Sequence, residues 1–236
     1  MLQMIDISKV YRTKWVETHA LRSMDFELSE GEFVAITGPS GSGKSSFLNI
    51  AGLLEPPTGG EFRFDGDDVR ALSDKQRSAL RSRKIGFVFQ GFNLISDMNI
   101  YENVEVPLRY ARIDRVERKR RVESSLDSVG MMSRAIHRPA ELSGGQQQRA
   151  AIARALAIQP RLLLADEPTG NLDTEMALGL LDLLEEINAR GTAIVMITHD
   201  PSIAARAHRS IHIVDGAVVL DEAKEPADGR IEAQRA

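Results

Sequence analysis

The 236-residue chain contains no cysteine, so disulfides and thiolate metal sites are excluded and a reducing compartment fits. It has no run of 18 apolar residues, so no stretch is expected to span a bilayer, and any membrane part must come from another chain. The opening residues, MLQMIDISKVYR, lack the charged start and apolar core of a secretion signal. No tandem repeat is visible. The net charge of −4 argues against a general polyanion binder, so no nucleic-acid partner is expected. With 42% hydrophobic and 27% charged residues, the composition is that of an ordinary globular protein.

What is present alternates between strand and helix. The pattern predicts strands at Gln3–Val10, Leu21–Leu28, Glu32–Thr37, Glu61–Phe64, Ile85–Phe89, Arg161–Ala165, Thr192–Thr198 and Ile211–Val214. Ala217–Leu220 closes a hairpin at Asp215-Gly216. LLLA and AIVMIT are continuously apolar, as suits strands buried on both faces of a parallel sheet. Helices are predicted at Lys44–Ala51, Ser73–Arg83, Asp114–Val129 and Glu175–Arg190. Ser73 with Gln76, and Asp114 with Glu117, have capping spacing. Residues 91–141 show helices without convincing strands and are expected to form a helical insert in an α/β core. The charged stretch 221–236 is expected to be loosely packed or disordered.

GPSGSGKS, residues 38–45, fits G-x-x-x-x-G-K-[ST] between an apolar strand and a helix. Gly38, Pro39, Ser40, Gly41, Ser42 and Gly43 form a loop whose backbone amides, absent only at Pro39, would turn toward phosphate oxygens. Lys44 would neutralise the β- and γ-phosphates, the Ser45 hydroxyl suits Mg²⁺, and Ser46 adds a second hydroxyl. Asp166 ends a buried strand, where open α/β sheets bind ligands, and suits Mg²⁺. Glu167, next in the chain, is placed to polarise an attacking water. Gln90 and His199 also end apolar strands; an amide there reaches Mg²⁺ or water, and an imidazole reaches a γ-phosphate. His19, His137, His208 and His212 have no such placement and are read as structural.

Together with LSGGQ at 142–146 and NLD at 171–173, these motifs occur in the order found in ABC-type ATPases, which the chain resembles over residues 2–220. The resemblance implies a P-loop NTPase fold: a RecA-like α/β core, an antiparallel β-subdomain and an inserted helical subdomain. The nucleotide-binding domain would cover residues 1–220, with the helical subdomain at about 91–141. The resemblance also implies ATP and Mg²⁺ as cofactors, the metal held by Ser45, Gln90 and Asp166. It implies a head-to-tail homodimer in which Ser143, Gly144, Gly145 and Gln146 face the ATP of the other chain and Asp173 lies at the seam. Tyr11 is similar to the aromatic that stacks on adenine, with Trp15 as a rival. The catalytic set would be Glu167, His199, Gln90 and Lys44.

ADEPTGNLD and ENVEVPL resemble the lipoprotein-release, macrolide-export and cell-division group. That implies an integral membrane permease as partner and a cytoplasmic location on the inner face of the membrane. Phe92, Asn93, Leu94 and Ile95 are expected to meet the permease, to pack within the helical subdomain, or to do both. The basic run Arg109–Arg121 is either a solvated helix face or an attraction for anionic lipid or an acidic loop. The competing function is a soluble ABC ATPase of DNA repair or translation. Against it, the interval between phosphate loop and signature is too short for a coiled-coil insertion, and only one ATPase domain is present. A nucleotide-binding regulator without turnover conflicts with the complete set of Asp166, Glu167 and His199.

Overall fold

The computed structural model describes residues 1–223. The sequence of elements is β1 (Leu2–Arg12), β2 (Glu17–Leu28), β3 (Phe33–Thr37), α1 (Lys44–Ala51), β4 (Gly59–Phe64), β5 (Asp67–Asp68), α2 (Asp74–Lys84) and β6 (Ile85–Phe89). It continues with α3 (Ile100–Tyr110), α4 (Arg115–Ser128), α5 (Gly144–Leu156), β7 (Leu162–Asp166), α6 (Thr174–Ala189), β8 (Ala193–Ile197), α7 (Pro201–Ala204), β9 (Arg209–Val214) and β10 (Ala217–Ala223). Two sheets form. One is antiparallel, in the order β2-β1-β4-β5. The other runs β10-β9-β3-β8-β7-β6, with every pair parallel except the hairpin β9-β10.

Strict alternation along the parallel strands divides the interior into two cores. Phe33, Ala35, Leu163, Ala165, Ile194 and Met196 face a core shared with α3, α4, α5 and α6. Val34, Ile36, Leu162, Leu164, Val195 and Ile197 face the other core, filled by α1 and the antiparallel sheet. This two-sided burial is why LLLA and AIVMIT carry no charged residue.

The caps form as their spacing demands. Ser73 and Gln76 make a reciprocal capping box on α2, and Asp114 accepts from the amides of Val116 and Glu117 on α4. Gly130 follows α4 with φ +70°, and Gly191 follows α6 with φ +99°. On α6 the predicted inner face is buried at Leu180, Leu181, Leu184 and Ile187, while Ala177 is half-buried. Within the helical stretch, α3 has no counterpart among the four predicted helices. Its own capping box, Asn99 with Glu102, and its buried Ile100, Val104 and Leu108 outweigh an internal proline, Pro107. Strand β10 runs to Ala223, so the first three residues of the stretch expected to be loose are paired: Asp221 binds Arg209 at 2.6 Å. The rest of that expected tail lies outside the described residues.

The basic run is largely self-neutralised. Arg109 and Arg118 both bind Glu105, and Arg120 and Arg121 both bind Glu117, whose carboxyl they lower to about 2. A paired, solvated helix face accounts for these residues.

Candidate functional site

Strand register builds the site. Phe89, Asp166, Ile197 and Ile36 pair in one row across β6, β7, β8 and β3. The chain leaves each strand at the same level. Gln90, Glu167, Thr198–His199 and Thr37–Gly38 therefore emerge side by side at the carboxyl edge of the sheet, where ligands bind in open α/β folds. Four motifs scattered over the sequence become neighbours because their strands are.

The phosphate loop fills the gap between β3 and α1. Gly38 has φ +144° and Gly43 has φ +105°. A Cβ on Gly38 would lie 2.1 Å from the Ile213 carbonyl oxygen, and one on Gly43 would lie 2.3 Å from that of Ala20, so glycine is required twice over. Gly43 is the residue preceding α1, whose first turn carries no acid and whose positive end faces the loop. Lys44 Nζ donates to the carbonyls of Gly38 and Pro39, at 2.8 and 2.7 Å. The Ser42 hydroxyl is buried without a hydrogen-bond partner among the described residues.

Asp166 is half-buried, and burial raises its carboxyl pKa; the neighbouring Glu167 carboxylate pushes the same way, and Lys44 opposes both. Glu167 takes φ +44°, a conformation that costs a non-glycine residue about 1–2 kcal/mol. Its amide donates to the Ile197 carbonyl at 3.0 Å, which holds the turn against β8. There the Glu167 carboxylate stands 3.1 Å from His199 Nδ1. Of the other histidines, His212 Nδ1 meets the Thr37 hydroxyl at 2.9 Å, and His208 packs edge-on to Phe33.

The entrance of α5 turns out to be a well-made helix start. Ser143 caps it, its hydroxyl accepting from the Gln146 amide, while Gln146 Oε1 accepts from the Ser143 amide. Gln146 therefore uses its side chain within its own chain. A Cβ on Gly145 would come within 2.5 Å of Met176 Sδ, which belongs to a flexible, exposed side chain able to swing away. Gly144 has only ordinary contacts, to Asn171, Leu172 and Phe92. Asp173 caps α6 by accepting from the Met176 amide at 2.9 Å. Ser143, Gly145, Gln146, Asp173 and Met176 line one open cleft of about 690 Å³.

Gln148 belongs to none of the motifs, although it stands on the inward stripe of α5 with Gly145, Ile152 and Ala155. It is fully buried and ties the signature helix to two site loops: Nε2 donates to the Pro168 carbonyl at 2.8 Å and the Phe89 carbonyl at 3.4 Å. Gln148→Leu strands the Pro168 carbonyl, whereas the Phe89 carbonyl keeps the Phe92 amide at 3.2 Å; the expected loss is about 1–3 kcal/mol. Thermal unfolding measures it; an unchanged midpoint means that the bridge contributes nothing net.

A second feature invisible in the sequence is an apolar groove of about 570 Å³ between the core and the helical stretch, where Leu54, Phe87, Phe89, Val106, Pro107 and Tyr110 converge. Arg154 anchors its rim by donating to the Phe92 carbonyl at 2.9 Å. The residues expected to meet a permease, 92–95, adjoin this groove, and Asn93 lines it.

Comparison with known proteins agrees with this fold. The family description "ABC transporter" matches residues 21–170. YknY, an ABC transporter ATP-binding protein of Bacillus subtilis (strain 168), is 45% identical over 93% of this chain and 95% of its own length. The macrolide export ATP-binding/permease protein MacB of Marinobacter nauticus is 44% identical over 98% of this chain, which spans only 36% of that protein. Among solved structures, the ATP-binding cassette MJ0796, in a dimeric post-hydrolysis state bound to ADP and Pi, superposes with a TM-score of 0.86 at 41% identity. The match covers 94% of this chain and 98% of that one. None of these favours the DNA-repair or translation alternative.

Proposed function

The chain belongs to the ABC transporter family as an ATP-binding, ATP-hydrolysing subunit, and from that premise we propose that two copies pair head to tail to drive a separate permease. The observation that carries the pairing is a separation within one chain. The phosphate loop follows β3, whereas α5 packs over β6, three strands away in the sheet order. At about 4.8 Å per strand that is roughly 14 Å, too far for a γ-phosphate seated in the loop to touch Ser143 of the same chain. A second copy brings its Ser143 hydroxyl, its Gly144 backbone and the positive end of its α5 to that nucleotide. The open cleft beside Ser143 and Asp173 leaves room for it.

In each site, Gly38–Ser46 cradles the phosphates, Lys44 exchanges its two loop carbonyls for phosphate oxygens, and Tyr11 supports the base. Glu167 orients the attacking water, with His199 beside it fixing that carboxylate and facing the γ-phosphate. Ser45, Gln90 and Asp166 fit Mg²⁺: all offer hard oxygens, and Asp166, held up by burial and by Glu167, gains a charge that offsets both. When bound, the ion supplies charge stabilisation at the phosphates. Closure around ATP and opening after hydrolysis provide the two states whose different affinities do mechanical work.

Relatives such as the pyoverdine export protein PvdT of Pseudomonas fluorescens (strain Pf0-1), 48% identical over 89% of this chain and 32% of its own length, join such a region to a permease. Among the described residues of this chain no helix is long and apolar enough to cross a membrane. We therefore assign the apolar groove to a short amphipathic segment of a permease, which holds the protein at the inner face of the membrane. Export is the activity these likenesses support, while lipoprotein release and mechanical signalling rest on the ADEPTGNLD and ENVEVPL resemblance. Tyr110 stands exposed at the groove rim, clear of the nucleotide site. Tyr110→Glu is expected to weaken association with the permease by about tenfold or more. Basal ATPase activity should be unchanged. Co-purification measures this, and retained association rules out the groove.

A further inference from the structure

Beside the phosphate loop lies a polar cluster that none of the motifs contains. The Tyr11 hydroxyl donates to Glu55 Oε2 at 2.8 Å and lies 3.4 Å from the Ser46 hydroxyl. Glu55 Oε2 also binds Lys9 Nζ at 3.0 Å, and Glu55 Oε1 accepts from Asn49 Nδ2 at 3.2 Å. Lys9 donates a further hydrogen bond to the Pro56 carbonyl at 2.9 Å, and its ammonium sits 5.0 Å from the centre of the Tyr11 ring.

Each contact removes a freedom from Tyr11. The hydroxyl bond to Glu55 fixes the tip of the ring. The Lys9 ammonium approaches the ring within cation–π range and is itself largely buried, its side chain 12% exposed. Asn49 and Ser46 belong to α1, so the platform and the phosphate loop move as one unit. The ring remains partly exposed, as a stacking surface must. The Tyr11 hydrogen bond, more than the Lys9 charge, holds the Glu55 carboxyl below its usual range, so the acceptor is a carboxylate at neutral pH.

We propose that Glu55 and Lys9 are positioning residues that lock Tyr11 as a one-sided aromatic platform, with Lys9 against the ring and the free face presented to the purine base of the nucleotide. This rests on the reading that Tyr11 supports the base. The clamp lowers the ordering that the ring must undergo on binding and so acts on nucleotide affinity, not on the chemical step.

The test compares Tyr11→Ala, Tyr11→Phe, Glu55→Ala and the Tyr11→Phe/Glu55→Ala pair in the full chain. It measures ATP dissociation constants by calorimetry in EDTA, steady-state KM and kcat, and thermal midpoints. Tyr11→Ala should weaken binding most, by about tenfold or more. Tyr11→Phe and Glu55→Ala should each raise KM by about three- to tenfold with kcat nearly unchanged. The double variant should be little worse than either single, because both remove the same bond. If Tyr11→Ala binds normally, the platform reading itself fails, and the clamp with it. If Tyr11→Ala weakens binding while Glu55→Ala does not, the platform stands and the clamp is overturned. Additive losses, or a Glu55→Ala effect confined to the thermal midpoint, likewise overturn it by making Glu55 merely structural.

Discussion

Glu167→Gln should retain ATP binding yet lower hydrolysis by about a hundredfold or more, the usual scale for losing a positioned base. The substitution keeps size and one acceptor oxygen but removes the negative charge that polarises water. The backbone supports a specific role. Glu167 is held at φ +44°, its amide is bonded to Ile197 across the β7–β8 junction, and its carboxylate is 3.1 Å from His199. A strained residue pinned at the carboxyl edge of a sheet marks a site where geometry is being enforced. With hydrolysis blocked, the ATP-bound pair should accumulate, and sedimentation in saturating ATP should record the shift from monomer to dimer. Turnover within about threefold of the parent would remove Glu167 from the chemistry.

Ser143→Arg should abolish hydrolysis while leaving the ATP affinity of a single chain intact. Two effects of different size are superimposed. Loss of the helix cap costs about 1 kcal/mol, which lowers the thermal midpoint by a few degrees. The larger effect is steric and electrostatic. A guanidinium replaces a small hydroxyl at the lip of the cleft that also holds Asp173, and the partner's nucleotide can no longer be reached. ATP affinity measured in EDTA at low protein concentration separates the two. If binding falls together with hydrolysis, Ser143 serves the nucleotide of its own chain, and the composite site is wrong.

Elements whose signals are local are legible in the residues alone. The phosphate loop announces itself through glycines at positions of positive φ, the Ser73–Gln76 capping box forms, and Asp114 caps α4 while the Glu117 side chain turns to Arg120 and Arg121. The apolar runs of β7 and β8 reveal a sheet covered on two faces. Helix α3 is obscured because Pro107 interrupts an otherwise regular apolar spacing. Packing of Ile100, Val104 and Leu108 into the helical core outweighs that penalty, and no local rule weighs the two. The signature is legible as a motif but only half of its work shows there. Gln146 has a duty inside its own chain, in the Ser143 cap.

The order of residues alone settles most of the strands and helices, where the glycine-rich loop between β3 and α1 lies, which carboxylates stand at a strand end, and that thiol chemistry is excluded. These follow from periodicity, turn conformation and residue chemistry, each satisfied within a few positions of the chain. The lateral order β9-β3-β8-β7-β6 is settled only by tertiary packing, because crossover connections leave the neighbours of a parallel strand unspecified locally. That order sets Gln90, Glu167, His199 and the phosphate loop side by side, and it carries Ser143 away from its own loop. The same long-range packing joins Lys9 and Tyr11 to Glu55, and Gln148 to Phe89 and Pro168. Such contacts depend on how whole layers stack, which no single segment encodes.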